Sequence, residues 1–154
     1  MKQGKWHLKL LQQHIDLRPT DSVLDIGSGV GRTAIALTEY LNNVGEYQGF
    51  DVVEAGVNWC NNGIGKDFQN FQFTYVPLYN DLYNTSAQKA TEFKFPYNDQ
   101  YFDKIFTFSV YTHMMINEIQ HYLTEMNRVL KDDGAIFSTF FLYDDQEEAS
   151  ILEN

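Results

Sequence analysis

The chain has 154 residues, of which 44% are hydrophobic, and it carries a formal charge of −10 with a pI near 4.6. This length predicts one domain with a sizeable core. The acidic balance argues against a nucleic-acid surface, because neutralising phosphates requires clustered lysines and arginines. A single cysteine, Cys60, excludes an internal disulfide. The absence of a secretory segment after Met1 and of any long apolar run indicates a soluble, cytoplasmic protein without a membrane span.

The first predicted element is an amphipathic helix. Apolar side chains recur at near-helical spacing over residues 5–17, within an N-terminal helical region that spans 1–20. The sequence RPTD at 18–21 breaks this pattern and turns the chain into the first strand.

The stretch Ser22–Leu37, SVLDIGSGVGRTAIAL, predicts a strand, a tight turn and a helix. Gly27, Gly29 and Gly31 alternate with other residues in the turn, where the missing Cβ lets the backbone bend sharply and approach a ligand closely. The following helix runs to about Leu41 and directs its unpaired N–H groups at whatever lies over the loop. The stretch therefore predicts a small-molecule site.

Two cofactor classes use such a loop. A dinucleotide fingerprint, G-x-G-x-x-A, matches Gly29–Ala34, but only if the first strand continues through residues 27 and 28. The second pattern is D-x-G-x-G-x-G, with Asp25 at the end of the first strand and three alternate glycines after it. This second match is the more specific of the two.

Residues Glu46–Val53, EYQGFDVV, predict a second strand, and a short helix is expected over about Ala55–Asn61. Asp51 comes 20 residues after Gly31. At that distance a second-strand carboxylate reaches the hydroxyls of an adenosine ribose and can accept a hydrogen bond from both. The alternative is an ordinary acid at the end of a strand.

Residues Phe71–Leu78 alternate aromatic and β-branched side chains and predict a third strand that Pro77 ends. The polar segment 79–94 predicts a loop with a helical turn. After a turn at 95–103, the apolar run Lys104–Val110 predicts a buried, parallel fourth strand.

Tyr111-Thr112-His113-Met114 follows this strand at its carboxyl end, where α/β sheets bind their ligands. We expect Asn117 to cap a helix that continues to Lys131, because the apolar residues fit a spacing of three to four. Leu130–Gly134 predicts a turn into a fifth strand, AIFSTFFLY. Residues 144–154 predict an acidic, solvated tail.

Four of these segments together resemble a class I S-adenosylmethionine (SAM) dependent methyltransferase of the small, type-11-like kind. They are Asp25–Gly31, Asp51, Phe95–Asp103 and Arg128–Gly134, and the resemblance extends from about Leu17 to Tyr143. It implies one SAM-binding domain over residues 1–154 with a Rossmann-like fold, a three-layer α/β/α sandwich around a mainly parallel sheet of about five strands. It also implies SAM as cofactor and S-adenosylhomocysteine (SAH) as product.

The resemblance implies a cofactor site at the glycine loop, at the ends of strands two and four, and in the segment before strand four. The family often has an acid after strand three that approaches the adenine; the corresponding place here is near Pro77, and Thr91 and Glu92 are the next candidates for this contact. Arg32 is a candidate for the SAM carboxylate, and the alternative is a surface role. The full set of expected cofactor residues is Asp25, Gly27, Ser28, Gly29, Gly31, Arg32, Asp51, Val52, Thr91, Glu92, Phe93, Ser109 and Val110.

The function that follows is methyl transfer to an oxygen or nitrogen of a small-molecule acceptor. His113 is the candidate general base, since an imidazole titrates near neutrality; the alternative is a structural histidine. No metal is expected, because His7, His14 and His121 show no ligand spacing with Cys60 or with paired acids. Two other functions stay open: a non-catalytic SAM-binding module or truncated core, and a nicotinamide-dependent oxidoreductase.

The family normally closes its sheet with an antiparallel hairpin after strand five, and no residues remain for that hairpin before Asn154. We therefore expect either a truncated chain or a sheet edge that a homo-oligomer or another partner covers. An uncovered edge would promote association between sheets.

Overall fold

The computed structural model describes residues 2–78 and 88–140, and it confirms the predicted Rossmann-like α/β class. Five strands form one sheet in the order β3-β2-β1-β4-β5, and every neighbouring pair is parallel. The strands are β1 (Ser22–Ile26), β2 (Glu46–Asp51), β3 (Phe71–Tyr75), β4 (Phe102–Thr107) and β5 (Leu130–Ser138).

Helices cover both faces of this sheet. Side chains of the first three helices pack with Val23 and Phe106 on one face, and the fourth helix packs with Leu24 and Ile105 on the other. Both faces are therefore buried, which explains the nearly continuous apolar runs of β1 and β4. The helices are α1 (Lys2–Ile15), α2 (Arg32–Thr38), α3 (Glu54–Cys60, continued by a π-helical turn at Asn61–Gly65) and α4 (Ile116–Val129).

β2, β3 and β4 end earlier than the sequence predicts, and each end has a local cause. β2 ends at Asp51 because Val53 already caps α3. β3 ends before Pro77, which has no N–H to donate to a ladder. β4 begins at Phe102 and ends at Thr107, because the chain reaches a left-handed conformation at Ser109 (φ 59°) that a strand does not accommodate.

The start of α4 corrects the prediction that Asn117 caps this helix. The cap is Met115, whose backbone is extended, and Asn117 lies inside the first turn. The Met115 N–H donates to the Glu118 carboxylate at 2.8 Å, which is the acidic half of a capping box. The start of α4 is therefore capped by the Glu118 carboxylate, three residues after Met115, and not by Asn117 as the sequence predicted.

The predicted turn at Leu130–Gly134 is also corrected, because these residues belong to β5. Leu130 pairs with Phe102, and regular pairing resumes between Ala135 and Lys104, so β5 advances five residues while β4 advances two. The extra residues form a bulge next to β4.

β5 is the outer strand of the sheet that residues 2–78 and 88–140 form, and there it pairs with β4 alone. The prediction that an oligomer covers this edge stays a prediction. The acidic tail, the last residues of the predicted fifth strand and residues 79–87 of the polar segment lie outside the described residues. In the described parts of the chain, no helix is long and apolar enough to cross a bilayer.

Candidate functional site

A cleft of about 1150 Å³ opens at the carboxyl ends of β1, β2 and β4. Its floor is the loop between β1 and α2, and its walls come from the ends of β2 and β4, from the start of α4 and from α1. This is the edge at which open parallel sheets bind ligands, because the strand order reverses direction there.

All three loop glycines have the left-handed backbone that the turn requires, with φ of 76° at Gly27, 54° at Gly29 and 76° at Gly31. A Cβ at Gly27 would overlap the Val110 side chain, whereas a Cβ at Gly29 would meet no atom within 4 Å. The loop is therefore packed tightly against the end of β4 at one point and open to the cleft at another. A ligand can approach the backbone at the open point.

The end of β1 decides between the two loop patterns. β1 stops at Ile26, and the next two N–H groups, those of Gly27 and Ser28, both donate to the Phe50 carbonyl at 2.9 and 3.1 Å. The strand does not continue through residues 27 and 28, as the dinucleotide register requires. The D-x-G-x-G-x-G register that begins at Asp25 is the one that fits.

Asp51 joins the end of β2 to the glycine loop. One carboxylate oxygen accepts from the Gly29 N–H at 2.8 Å, and the other accepts from the Val53 N–H at 2.8 Å. Each oxygen of an ionised carboxylate keeps a second lone pair. Asp51 can therefore accept ribose hydroxyls while it holds the loop in place.

Asp25 lies deep in the cleft, 3% exposed, and accepts a hydrogen bond from the Tyr47 hydroxyl at 2.8 Å. Burial raises the pKa of Asp25 to about 7, although the Tyr47 hydrogen bond opposes this and the nearby Asp51 charge adds to it. Burial also raises the pKa of Tyr47. Tyr47 is therefore the donor of this bond, and the Asp25 carboxylate gains from any cation that enters the cleft.

The cleft is mainly acidic and suits a ligand with a positive charge. Asp25, Asp51 and Glu118 line it, and Arg32 is the one lysine or arginine among the described lining residues. The Ser28 hydroxyl oxygen is buried at the loop and has no hydrogen-bond partner, which leaves it to a polar group of a ligand.

α1 contributes His7 to the cleft, a residue for which the sequence indicated no cofactor-binding or catalytic role. His7 is buried, its Nδ1 lies 2.8 Å from the Thr33 hydroxyl, and its ring stacks on Phe108 with centroids 3.7 Å apart and planes 6° from parallel. Burial, together with the Arg32 charge, lowers the pKa of His7. No local pattern could have found this residue, because its partners lie 26 and 101 positions away.

Most of the predicted site residues meet in the cleft. Gly31 lies beneath the loop, where a Cβ would meet Cys60 and Ile64. The predicted residues that line the cleft are Asp25, Gly27, Ser28, Gly29, Arg32, Asp51, Val52, Ser109, Val110 and His113.

The structure does not bring Thr91, Glu92 or Phe93 to the lining of the cleft. They lie on and next to a 3₁₀ turn, from which Ala90 is the residue that lines the cleft. Phe93 is turned away because its ring packs edge-on against Phe50 in the core, with centroids 5.7 Å apart.

The fold and this cleft define a nucleotide-cofactor-binding α/β domain of the Rossmann-like type. A family model described as a methyltransferase domain (Methyltransf_11) matches residues 24–138. The chain therefore belongs to the SAM-dependent methyltransferase family, and SAM is the cofactor of that family. The D-x-G-x-G-x-G interpretation of the loop is confirmed.

Solved structures show the same fold at low sequence identity. The PH0226 protein of Pyrococcus horikoshii OT3 is 22% identical with a TM-score of 0.68, and the match covers 99% of this chain and 62% of that one. A SAM-dependent methyltransferase from Aquifex aeolicus is 21% identical with a TM-score of 0.62, over 97% of this chain and 77% of that one. Phosphoethanolamine N-methyltransferase 1 of Haemonchus contortus was solved with phosphoethanolamine and SAH. It is 20% identical with a TM-score of 0.58, and the match covers 76% of this chain and 21% of that one. The chain thus spans less than two thirds of the first and third of these proteins.

Proposed function

We propose that the cleft binds SAM and that the chain is the core of an enzyme that transfers a methyl group to an oxygen or nitrogen of a small molecule. The observation that carries this proposal is the arrangement of Asp51, which holds the glycine loop and presents its carboxylate to the cleft. Family membership supports the cofactor, and the acidic lining suits its sulfonium and ammonium charges.

In this proposal Asp51 accepts the ribose hydroxyls, with Val52 beside it. Asp25 and the glycine loop hold the methionine part, and Arg32 offers its guanidinium to the carboxylate. Ser109 and Val110 close the β4 side. Thr91 and Glu92 stay predicted contacts of the adenine side, and Phe93 stays one through its backbone alone, because its ring packs in the core. Bound SAM supplies a methyl group on a sulfonium, which is a good leaving group.

The protein's own part in the reaction is mainly alignment and the exclusion of water. Correct alignment of reactants supplies on the order of 7–11 kcal/mol in well-oriented systems, and a drier site strengthens the local electrostatics. A general base contributes about 10²–10⁴-fold when the nucleophile gives up a proton. The sequence assigns that role to His113, whose exposed side chain lines the cleft.

A small-molecule acceptor is the class that we propose. The net charge of −10 disfavours a nucleic acid, which carries a dense negative charge of its own. The H. contortus relative, which shares the fold, was solved with the small molecule phosphoethanolamine.

The first test is calorimetric titration of the purified chain with SAH, with NAD as the control ligand. We expect SAH to bind with one-to-one stoichiometry and NAD to give no heat of binding. Binding of NAD alone would contradict the proposal. Binding of SAH without methyl transfer to any compound in a broad acceptor panel would favour a non-catalytic SAM-binding module.

Asp51→Ala should weaken SAH binding about 10- to 100-fold. The substitution removes the acceptor of the ribose hydroxyls and also the acceptor that fixes the Gly29 N–H, and hydrogen bonds to a charged group contribute about 1.5–3 kcal/mol. Calorimetry measures the loss directly. Asp67→Ala, at an exposed acid that does not line the cleft, is the matched control and should bind as the wild type does. Equal affinity of the Asp51 variant and the wild type would remove Asp51 from the site.

A further inference from the structure

The cleft has two distinguishable ends, because three strands contribute to it in the order β2-β1-β4. Asp51 marks the β2 end and Phe108 marks the β4 end, with the glycine loop between them. Adjacent strands lie about 4.8 Å apart, so these two ends are separated by about 10 Å. If Asp51 holds the ribose, the methyl-bearing half of the cofactor extends over the loop toward Phe108.

His7 lies at this second end, and its ring is held in one orientation. The stack on Phe108 fixes the plane of the ring, and the hydrogen bond between Nδ1 and Thr33 fixes the orientation of the ring within that plane. Both contacts come from elements that also form the cleft. A side chain held in this way has little conformational entropy left to lose on binding.

The second ring nitrogen of His7, Nε2, has no hydrogen-bond partner among the described residues, although the residue is only 6% exposed. His7 lines the cleft, where a ring nitrogen without a partner is open to a polar group of a ligand. Burial and the Arg32 charge favour the neutral ring, and when its Nδ1–H donates to the Thr33 hydroxyl the lone pair is on Nε2. His113, the other imidazole of the cleft, is exposed on a 3₁₀ turn.

We propose that His7, rather than His113, is the catalytic residue that accepts the proton of the methyl acceptor, through Nε2. This inference rests on the proposed function. The O–H or N–H bond of the acceptor breaks and its proton moves to Nε2, while the freed electron pair forms the bond to the methyl carbon. The carbon–sulfur electron pair stays on sulfur, so the positive charge passes from the sulfonium to the imidazolium.

The test uses two ligands that differ at the methyl position, so that it needs no knowledge of the acceptor. SAH has no group there, whereas sinefungin is a SAM analogue with an ammonium group in place of the methyl. A nearby Nε2 lone pair accepts a hydrogen bond from that ammonium. We expect His7→Asn, which keeps a polar atom near Thr33 but lacks Nε2, to weaken sinefungin binding about tenfold and SAH binding less than twofold, as for the loss of one charge-assisted hydrogen bond.

Two further variants and one measurement on the wild type complete the test. His7→Gln, which keeps a polar atom near Nε2, should retain sinefungin affinity within about threefold. His14→Asn, on the same helix but outside the cleft lining, should change neither ligand. Nitrogen NMR of the wild type should show the Nε2 signal of His7 shifting when sinefungin binds and not when SAH binds. This measurement needs no variant, so it tests the proposal even where a His7 variant folds poorly.

The outcomes separate this inference from the proposed function. Failure of the wild type to bind SAH overturns both. Normal SAH binding with equal effects of His7→Asn on the two ligands, or with an unmoved Nε2 signal, overturns only the role of His7. A selective loss of sinefungin affinity in His113→Asn instead would return the role to His113.

Discussion

Arg128→Met is expected to destabilise the folded chain by about 3–5 kcal/mol, the cost of leaving one partner of a buried ion pair without the other. The Arg128 guanidinium contacts the Glu125 carboxylate at 2.7 Å and donates to the backbone carbonyls of Phe95 and Tyr97, each at 2.9 Å. Glu125 is 8% exposed and also accepts from the Phe95 N–H at 2.8 Å. Loss of the arginine therefore strands a buried carboxylate and frees the segment that leads into β4.

Urea unfolding followed by circular dichroism measures this effect. Asp99→Ala removes the fourth, largely exposed partner of Arg128 and should cost less than about 1 kcal/mol. Adding Glu125→Gln to Arg128→Met should recover part of the loss, because the stranded charge is gone. A double variant no more stable than Arg128→Met alone would mean that the carbonyl contacts, and not the buried charge, carry the effect.

Asp25→Asn is expected to do the opposite at pH 8 and to stabilise the fold by about 2–4 kcal/mol, since each pKa unit corresponds to about 1.4 kcal/mol. Asp25 has a pKa of about 7 in the folded chain, against an ordinary value of 3.8, chiefly because it is buried. The folded state thus holds this proton more tightly than the unfolded state. The contribution of Asp25 to the free energy of unfolding is therefore most favourable below about pH 4, decreases as the pH rises to about 7, and stays constant above pH 7. Asparagine carries no charge to desolvate and keeps an oxygen for the Tyr47 hydroxyl.

Thermal unfolding of both proteins between pH 4 and pH 8 checks this expectation. The difference in midpoint should be small near pH 4 and should grow to several degrees at pH 8, at about 2–4 °C per kcal/mol for a chain of this size. A difference that does not depend on pH would show that Asp25 is ionised equally in both states.

We also expect Asp25→Asn to weaken SAH binding about tenfold, because the cleft loses a charge that faces the cationic end of the ligand. An acid that lowers stability and raises affinity is a functional residue.

Local patterns were sufficient for the part of the site that one segment forms. Asp25, Gly27 and Gly29 belong to a single strand–turn–helix unit, so their spacing alone predicted the loop that the structure contains. Asp51 was found for a related reason, since one helix separates two adjacent parallel strands and fixes the distance between their ends. Local patterns also predicted the five strands, whereas the Rossmann-like sheet was implied by the family resemblance.

Features that depend on contacts between distant segments were not accessible to this reasoning. The position of His7 depends on Phe108, and the inward turn of Phe93 depends on Phe50; neither contact leaves a local signal. The cap at Met115 was missed because its hydrogen-bonding group belongs to Glu118. The bulge in β5 is set by its pairing with β4, which a turn-like sequence does not reveal.

The stack of His7 on Phe108 also has a consequence for the order of events during synthesis. The helix that carries His7 leaves the ribosome before β4, and the ring against which it packs follows 101 residues later. At about 5–20 residues per second, this interval is about 5–20 s. During that time the buried side of α1, including Leu11, lacks its partner Phe106 as well. The nascent chain therefore exposes the apolar face of this amphipathic helix for seconds before β4 is synthesised, and a chaperone that binds amphipathic helices can bind it in that interval.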